Sequence, residues 1–257
     1  LNTLGLETTA LGFVAGFTGK AIEDGLAAQG IHTDFIHLPE GNSRINVKVK
    51  HGDETEINGQ GPVITEEAIN ELFAKLDTLT KEDILVLAGS IPNTLPEDIY
   101  EKILASLESK GIRVVVDATK DLLLNVLKYH PFLIKPNNHE LGEMFGTVCK
   151  TDEDIVHYAK KLQEKGAVNV LISMAGDGAI LITEDGQNIK MGTPKGKVVN
   201  SVGAGDSMVA GFITGYIRGG NYEEALKSGT AAGSATAFSE GLASLEMYEK
   251  MLKQITE

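Results

Sequence analysis

Short, nearly continuous apolar runs recur along the chain at 83–89 (DILVLAG), 113–119 (RVVVDAT), 132–137 (FLIKPN) and 169–175 (NVLISMA). Runs of this length without polar interruption suit strands that are covered on both faces. Between them lie segments with helical spacing, among them 96–110 (PEDIYEKILASLESK) and 151–165 (TDEDIVHYAKKLQEK). Strand then helix, repeated, calls for right-handed crossovers, and so for an α/β protein with a mostly parallel sheet covered on both sides. No repeat, low-complexity tract or Pro/Ser-rich linker interrupts the pattern, so residues 1–257 are expected to form a single domain with an appendage.

The appendage is the segment 33–58 (TDFIHLPEGNSRINVKVKHGDETEIN), where Ile45, Val47 and Val49 alternate with Asn46, Lys48 and Lys50. That alternation predicts a one-sided antiparallel ribbon, a lid or interface projecting from the main sheet. An exposed ribbon also offers an edge through which a homodimer can form. The opening residues, Leu1 to Leu6, read like the last turn of a helix closed by Gly5, and an upstream piece is expected before them.

Composition excludes several partners. A net charge of -13 repels polyanions, and no basic stripe offsets it, so no nucleic-acid partner is expected. No run approaches the roughly 20 apolar residues of a membrane span, and no signal-peptide pattern opens the chain. The single cysteine, Cys149, rules out an internal disulfide framework and fits a reducing compartment, so a cytoplasmic location is expected. Among nucleotide and hydrolase motifs, GxxxxGK[ST], the protein-kinase set, HExxH and GxSxG are all missing, and Gly203-x-Gly205 lacks the third glycine of a dinucleotide fingerprint.

Ligands of open parallel sheets bind at the carboxyl ends of the strands. Those ends carry Gly89-Ser90, Asp117, Lys135-Pro136-Asn137, Ser173 and Gly203-Ala204-Gly205-Asp206. Glycine, serine and asparagine are also ordinary turn residues, so position alone does not decide their role. In KVVNSVGAGDSMVAG (197–211) a β-branched run predicts a strand end, and small residues then lead into an apolar helix. Bare backbone at a helix start lets amide groups approach an anion, and the helix dipole favours negative charge there. Asp206 in that first turn is either a helix-dipole residue or a general base beside an anion hole. In KPNNHE (135–140), Asn137 and Glu140 have the spacing of a capping box, and equally place an amide and a carboxylate where Mg2+ and its waters could be held. SMAGDGA (173–179) is either a tight turn between strands or a loop shaped to pass a nucleotide.

Taken in order, KPNxxE, the SxxGxxG-like loop and VGAGDSMVAGF resemble the PfkB family of carbohydrate kinases over essentially the whole chain. The resemblance implies a three-layer ribokinase-like fold with a mostly parallel central sheet and a small antiparallel β lid. It implies Asp206 as catalytic base, an anion hole at Gly203, Ala204 and Gly205, and Glu140, acting through water, organising Mg2+ together with Asn137. ATP would then contact Lys135, Asn137, Ser173, Gly176, Asp177, Gly178 and Ser201, with its adenine near Thr230 and Ser234. Two departures stand out: Ala175 occupies a position where glycine is common, and Asn200-Ser201 replaces a more frequent Asp-Thr pair.

Within the family, NSRINVKVK followed by TEINGQGP is most similar to bacterial 1-phosphofructokinases and the related tagatose-6-phosphate kinases. This likeness implies Arg44 as a substrate-phosphate ligand on the lid and Ser90 in the sugar pocket. The family's first strands and a GGKGxN-type sugar-binding segment are expected before Leu1. The implied activity is ATP- and Mg2+-dependent phosphorylation of a ketose phosphate, foremost fructose 1-phosphate to fructose 1,6-bisphosphate. Tagatose-6-phosphate kinase, a 6-phosphofructokinase of the same family and a non-catalytic sugar-phosphate-binding regulator are the alternatives.

Overall fold

A single 3-10 turn at Asn2–Leu4, closed by Gly5 at φ 77°, leads into β1 (Thr9–Ala10), β2 (Phe13–Ala15), α1 (Gly16–Ala28), β3 (His32–Thr33) and β4 (Ile36–Leu38). The hairpin β5 (Asn46–His51) and β6 (Asp53–Asn58) follows, then α2 (Glu66–Asp77), β7 (Ile84–Ala88), α3 (Ile99–Leu107), β8 (Arg113–Asp117) and α4 (Lys120–Val126). The remainder runs β9 (Leu133–Ile134), α5 (Asn138–Met144), α6 (Asp152–Glu164), β10 (Asn169–Ser173), β11 (Ala179–Ile182), β12 (Asn188–Met191), α7 (Ala204–Gly219), α8 (Tyr222–Ala237) and α9 (Leu245–Thr256). The computed structural model describes residues 1–257 except Gly52, Ser90 and Glu257.

The main sheet has six strands in the order β12-β11-β10-β9-β8-β7. β7 to β10 are parallel neighbours, whereas β10, β11 and β12 form an antiparallel edge. Two smaller parallel pairs, β1 with β3 and β2 with β4, are built from the first 38 residues.

Alternate residues of each central strand enter different cores, as strands covered on both faces require. In β8, Val114 and Val116 pack on the side of Leu72, Ile103 and Leu162, while Val115 packs against Phe212 on the other. In β10, Val170 and Ile172 take the first side and Leu171 the second. α9 closes a third cluster, with Tyr248 and Met251 over Ala231 and Ala235 of α8. Among the described residues no helix is long and apolar enough to cross a membrane.

Two expectations from the sequence are corrected. The antiparallel ribbon occupies 46–58, not 33–58: residues 36–38 form β4 and pair in parallel with β2 in the body of the protein. The β-branched run Lys197-Val198-Val199 forms no strand. Its backbone is tied instead to the end of α8, where the Val199 and Asn200 amides both donate to the Ala237 carbonyl at 2.8 and 3.2 Å.

Candidate active site

The site is built around the start of α7. Gly203 is its N-cap, left-handed at φ 80°, a conformation that glycine adopts without steric cost. The Ala204 amide donates to the Ser201 carbonyl at 3.2 Å, closing the turn, and the Ser207 amide returns to the Gly203 carbonyl at 2.9 Å. Among the described residues, the amides of Gly203, Gly205 and Asp206 have no protein acceptor. The unpaired set therefore has Asp206 in place of Ala204 among the expected Gly203, Ala204 and Gly205, because the Ala204 amide is engaged in the turn. Sixteen residues of aligned peptide dipoles stand behind these amides.

Asp206 extends from this first turn into solvent, and its carboxylate makes no hydrogen bond or ion pair among the described residues. The turn itself is held firmly. Ser207 and Thr236 share a hydroxyl hydrogen bond of 2.8 Å, joining α7 to α8. Asn200 fixes the approach: its Nδ2 donates to the Glu240 carbonyl at 3.1 Å and its Oδ1 accepts from the Val202 amide at 3.2 Å. Ser201 lies exposed beside it.

Lys135 comes to the same place from the end of β9. Its Nζ lies 3.1 Å from Asp117 Oδ1 at the end of β8, both side chains largely buried. A Cβ on Gly205 would stand 3.1 Å from that ammonium, so the absence of a side chain there brings Lys135 beside the open amides. Burial pushes the Asp117 carboxyl above the usual range; Lys135 opposes the shift, and the charges of Asp206 and Glu140 add to it.

Asn137 and Glu140 form the capping box of α5. Asn137 Oδ1 accepts from the amides of His139 and Glu140 at 2.9 and 2.8 Å, and Glu140 Oε2 accepts from the Asn137 amide at 2.8 Å. Asn137 also bridges to Ser173 at the end of β10, which brings KPNNHE and SMAGDGA together. SMAGDGA is the tight connection between antiparallel β10 and β11, with Gly176 and Asp177 exposed and Thr193 Oγ1 donating to the Gly176 carbonyl at 2.9 Å. Gly178, at φ 93°, passes so close to the Met191 carbonyl that no side chain fits.

A separate cleft of about 1810 Å³ is lined by Ser43, Arg44, Asp34, Tyr100 and the edge of β7, among others. Arg44 is exposed in the loop leading into the lid, one residue after Ser43, whose buried Oγ accepts from the Ala15 amide at 3.0 Å. Asp206 and Lys135 do not line this cleft. Tyr100 connects the two regions: it donates to the Ala88 carbonyl at 3.0 Å, and its phenol is pushed up by burial and by the charge of Asp117. Ser90 falls outside the described residues.

Thr230 and Ser234 are not brought to the site. Thr230 is fully buried with its Oγ1 unpaired, and Ser234 is buried as well, because α8 lies packed between α7 and α9. Asp117 is the reverse case. The sequence marks it only as a strand end, and an acid closing the apolar run RVVVD was the available signal. No group of three or more His, Cys, Asp or Glu side chains that could hold a metal ion occurs among the described residues.

Unpaired amides at a helix start, an exposed acid among them and a neighbouring ammonium are parts that suit a phosphoryl-transfer site, where positioning and charge stabilisation do most of the work. Residues 1–247 match the pfkB family carbohydrate kinase model, and the chain belongs to that family. It is 50% identical to a 1-phosphofructokinase of Bacillus subtilis over 97% of this chain and 82% of that protein. It is 39% identical to a D-tagatose-1-phosphate kinase of Bacillus licheniformis, over 99% of this chain and 84% of that protein. Among solved structures, the tetrameric inhibited form of phosphofructokinase-2 from Escherichia coli superposes with a TM-score of 0.88 at 25% identity, covering 99% of this chain and 84% of that one.

Proposed function

We propose that this chain transfers the γ-phosphoryl group of ATP to a hydroxyl of a ketose phosphate, with fructose 1-phosphate as the preferred acceptor and fructose 1,6-bisphosphate as product. The observation that carries the reading is Asp206, an exposed carboxylate in the turn that offers the unpaired amides of Gly203, Gly205 and Asp206. Asp206 takes the proton of the acceptor hydroxyl as its oxygen bonds to the γ-phosphorus. The bond from that phosphorus to the bridging oxygen breaks, and ADP leaves. The amides and Lys135 hold the negative charge that is shared among the phosphoryl oxygens at that moment. Glu140 would hold Mg2+ through water, with Asn137 organising the turn, and the ion would supply neutralisation of phosphate charge.

Ser173, Gly176, Asp177, Gly178 and Ser201 border the nucleotide. The adenine contacts of Thr230 and Ser234 are not carried into the proposal, since both are buried within helix packing. Arg44 takes the phosphate that the acceptor already carries, as a guanidinium suits a dianion. The lid hairpin leaves Ile45, Val47, Val49 and Ile57 exposed on an otherwise charged ribbon, a face suited to a second copy. The likeness to a D-tagatose-1-phosphate kinase supports a second reading, with that epimeric ketose phosphate as acceptor.

The test of the base is Asp206→Asn. We expect kcat to fall about 10²-fold or more while ATP binding persists, in line with general-base contributions. Turnover close to that of the native protein removes Asp206 from the role.

A further inference from the structure

We infer that Asp117 is the positioning residue of the phosphoryl-transfer site: it aims the Lys135 ammonium at the open amides of α7. The inference rests on the proposed kinase reading and adds a residue that this reading does not use. Its basis is geometric. Lys135 Nζ and Asp117 Oδ1 are 3.1 Å apart, with the lysine side chain 8% exposed and the aspartate 18%. Among the described residues Asp117 is the only carboxylate in an ion pair with Lys135. The ammonium also lies in tight contact with the place a Gly205 side chain would begin, 3.1 Å from the position of its Cβ.

A long, flexible lysine has several rotamers that would carry its charge into solvent, and burial disfavours the one seen here unless a partner compensates. Asp117 is that partner. It is fixed because it closes β8, whose residues Val114, Val115 and Val116 are buried in the cores on both sides of the sheet. The carboxylate holds the ammonium next to Gly205, 3.1 Å from where a Cβ on that residue would stand. A phosphoryl oxygen arriving at the amides of Gly205 and Asp206 then meets a third donor already in position, so the interaction needs no reorganisation during transfer. Asp117 touches neither phosphate nor sugar in this arrangement; it acts through Lys135.

The experiment is a double-mutant cycle of Asp117→Asn and Lys135→Met, read by kcat, by KM for each substrate and by calorimetric binding of a non-hydrolysable ATP analogue. We expect each single variant to lower kcat by about 10²- to 10³-fold with KM for the phosphosugar nearly unchanged, the scale of losing one charge-stabilising donor. The double variant should be no worse than Lys135→Met alone, and the same non-additivity should appear in analogue binding. Losses that multiply in the double variant overturn the inference, as does an Asp117→Asn protein that keeps full kcat and only melts earlier. So does an Asp117→Asn protein whose sole change is a higher Mg2+ requirement, because Asp117 would then serve the metal directly. Should Asp117→Asn fail to fold, Asp117→Leu with Lys135→Met replaces the pair by apolar side chains, a change that buried ion pairs often tolerate. Its kcat should equal that of Lys135→Met, and a lower value again overturns the inference. Native protein that binds no nucleotide analogue would remove the kinase reading itself, which separates that failure from this one.

Discussion

A methyl group on Gly205 would stand 3.1 Å from the Lys135 ammonium, while the backbone at this position is ordinary helix. Alanine is intrinsically favoured over glycine in a helix by about 0.5–1 kcal/mol, so folding gains slightly from the change. Chemistry should not. For Gly205→Ala we expect kcat to fall at least about tenfold, because the methyl displaces Lys135 and crowds the open amides, while the melting temperature stays level or rises. A variant that loses stability and keeps its turnover would show that Gly205 serves packing. The sequence reads GAGD as an anion pocket beside an acid, but it does not tell which amides the turn leaves unpaired. Ala204 is spent on the Ser201 carbonyl, and a hydrogen bond that closes a turn leaves no trace in residue type. Asp117 was hidden for a similar reason: an acid at a strand end is common, and its partner Lys135 is 18 positions away, beyond α4.

Two helices, α7 and α8, approach so closely that glycine is required along their contact. A Cβ on Gly211 would lie 2.4 Å from the Ser228 carbonyl oxygen, and one on Gly215 would lie 2.4 Å from that of Glu224. Ser228 completes the contact, donating from Oγ to the Gly211 carbonyl at 2.6 Å. This packing holds the first turn of α7 against Thr236. Gly215→Val is therefore expected to lower the melting temperature by roughly 3–10 °C, from an overpacking cost of about 1–3 kcal/mol in a chain of this size. A melting curve that superposes on the native one would mean that the helices part at no cost. The same closeness explains why GTAAGSATA is misleading in sequence. Small residues allow both a neighbouring helix and a ligand to approach, and only the three-dimensional arrangement shows that here it is a helix. FLIKPN gave a longer run than the two residues of β9, because Pro136 has no amide for the ladder and Asn137 is committed to capping α5.

The whole molecule follows the alternation of strands and helices closely, since period and burial on both faces are written in every few residues. Pairings between short segments are not so written: β1 with β3 and β2 with β4 are only two and three residues long, and their partners are set by tertiary packing. The lid was legible from its alternation at Ile45, Val47 and Val49, though its beginning was placed too early. Its exposed apolar side leads to a test of assembly. Ile57→Asp, which puts a charge on that face, should convert a dimer to a monomer in sedimentation, with the melting curve of the monomer little changed; native protein that sediments as a monomer, or a variant that stays dimeric, would place any assembly elsewhere. Coupled ADP release from the full-length protein should give its highest kcat/KM with fructose 1-phosphate, ahead of D-tagatose 1-phosphate, tagatose 6-phosphate and fructose 6-phosphate. A lead for D-tagatose 1-phosphate would select the second reading. ADP release no faster with any of the four ketose phosphates than without them would contradict the kinase assignment of this site.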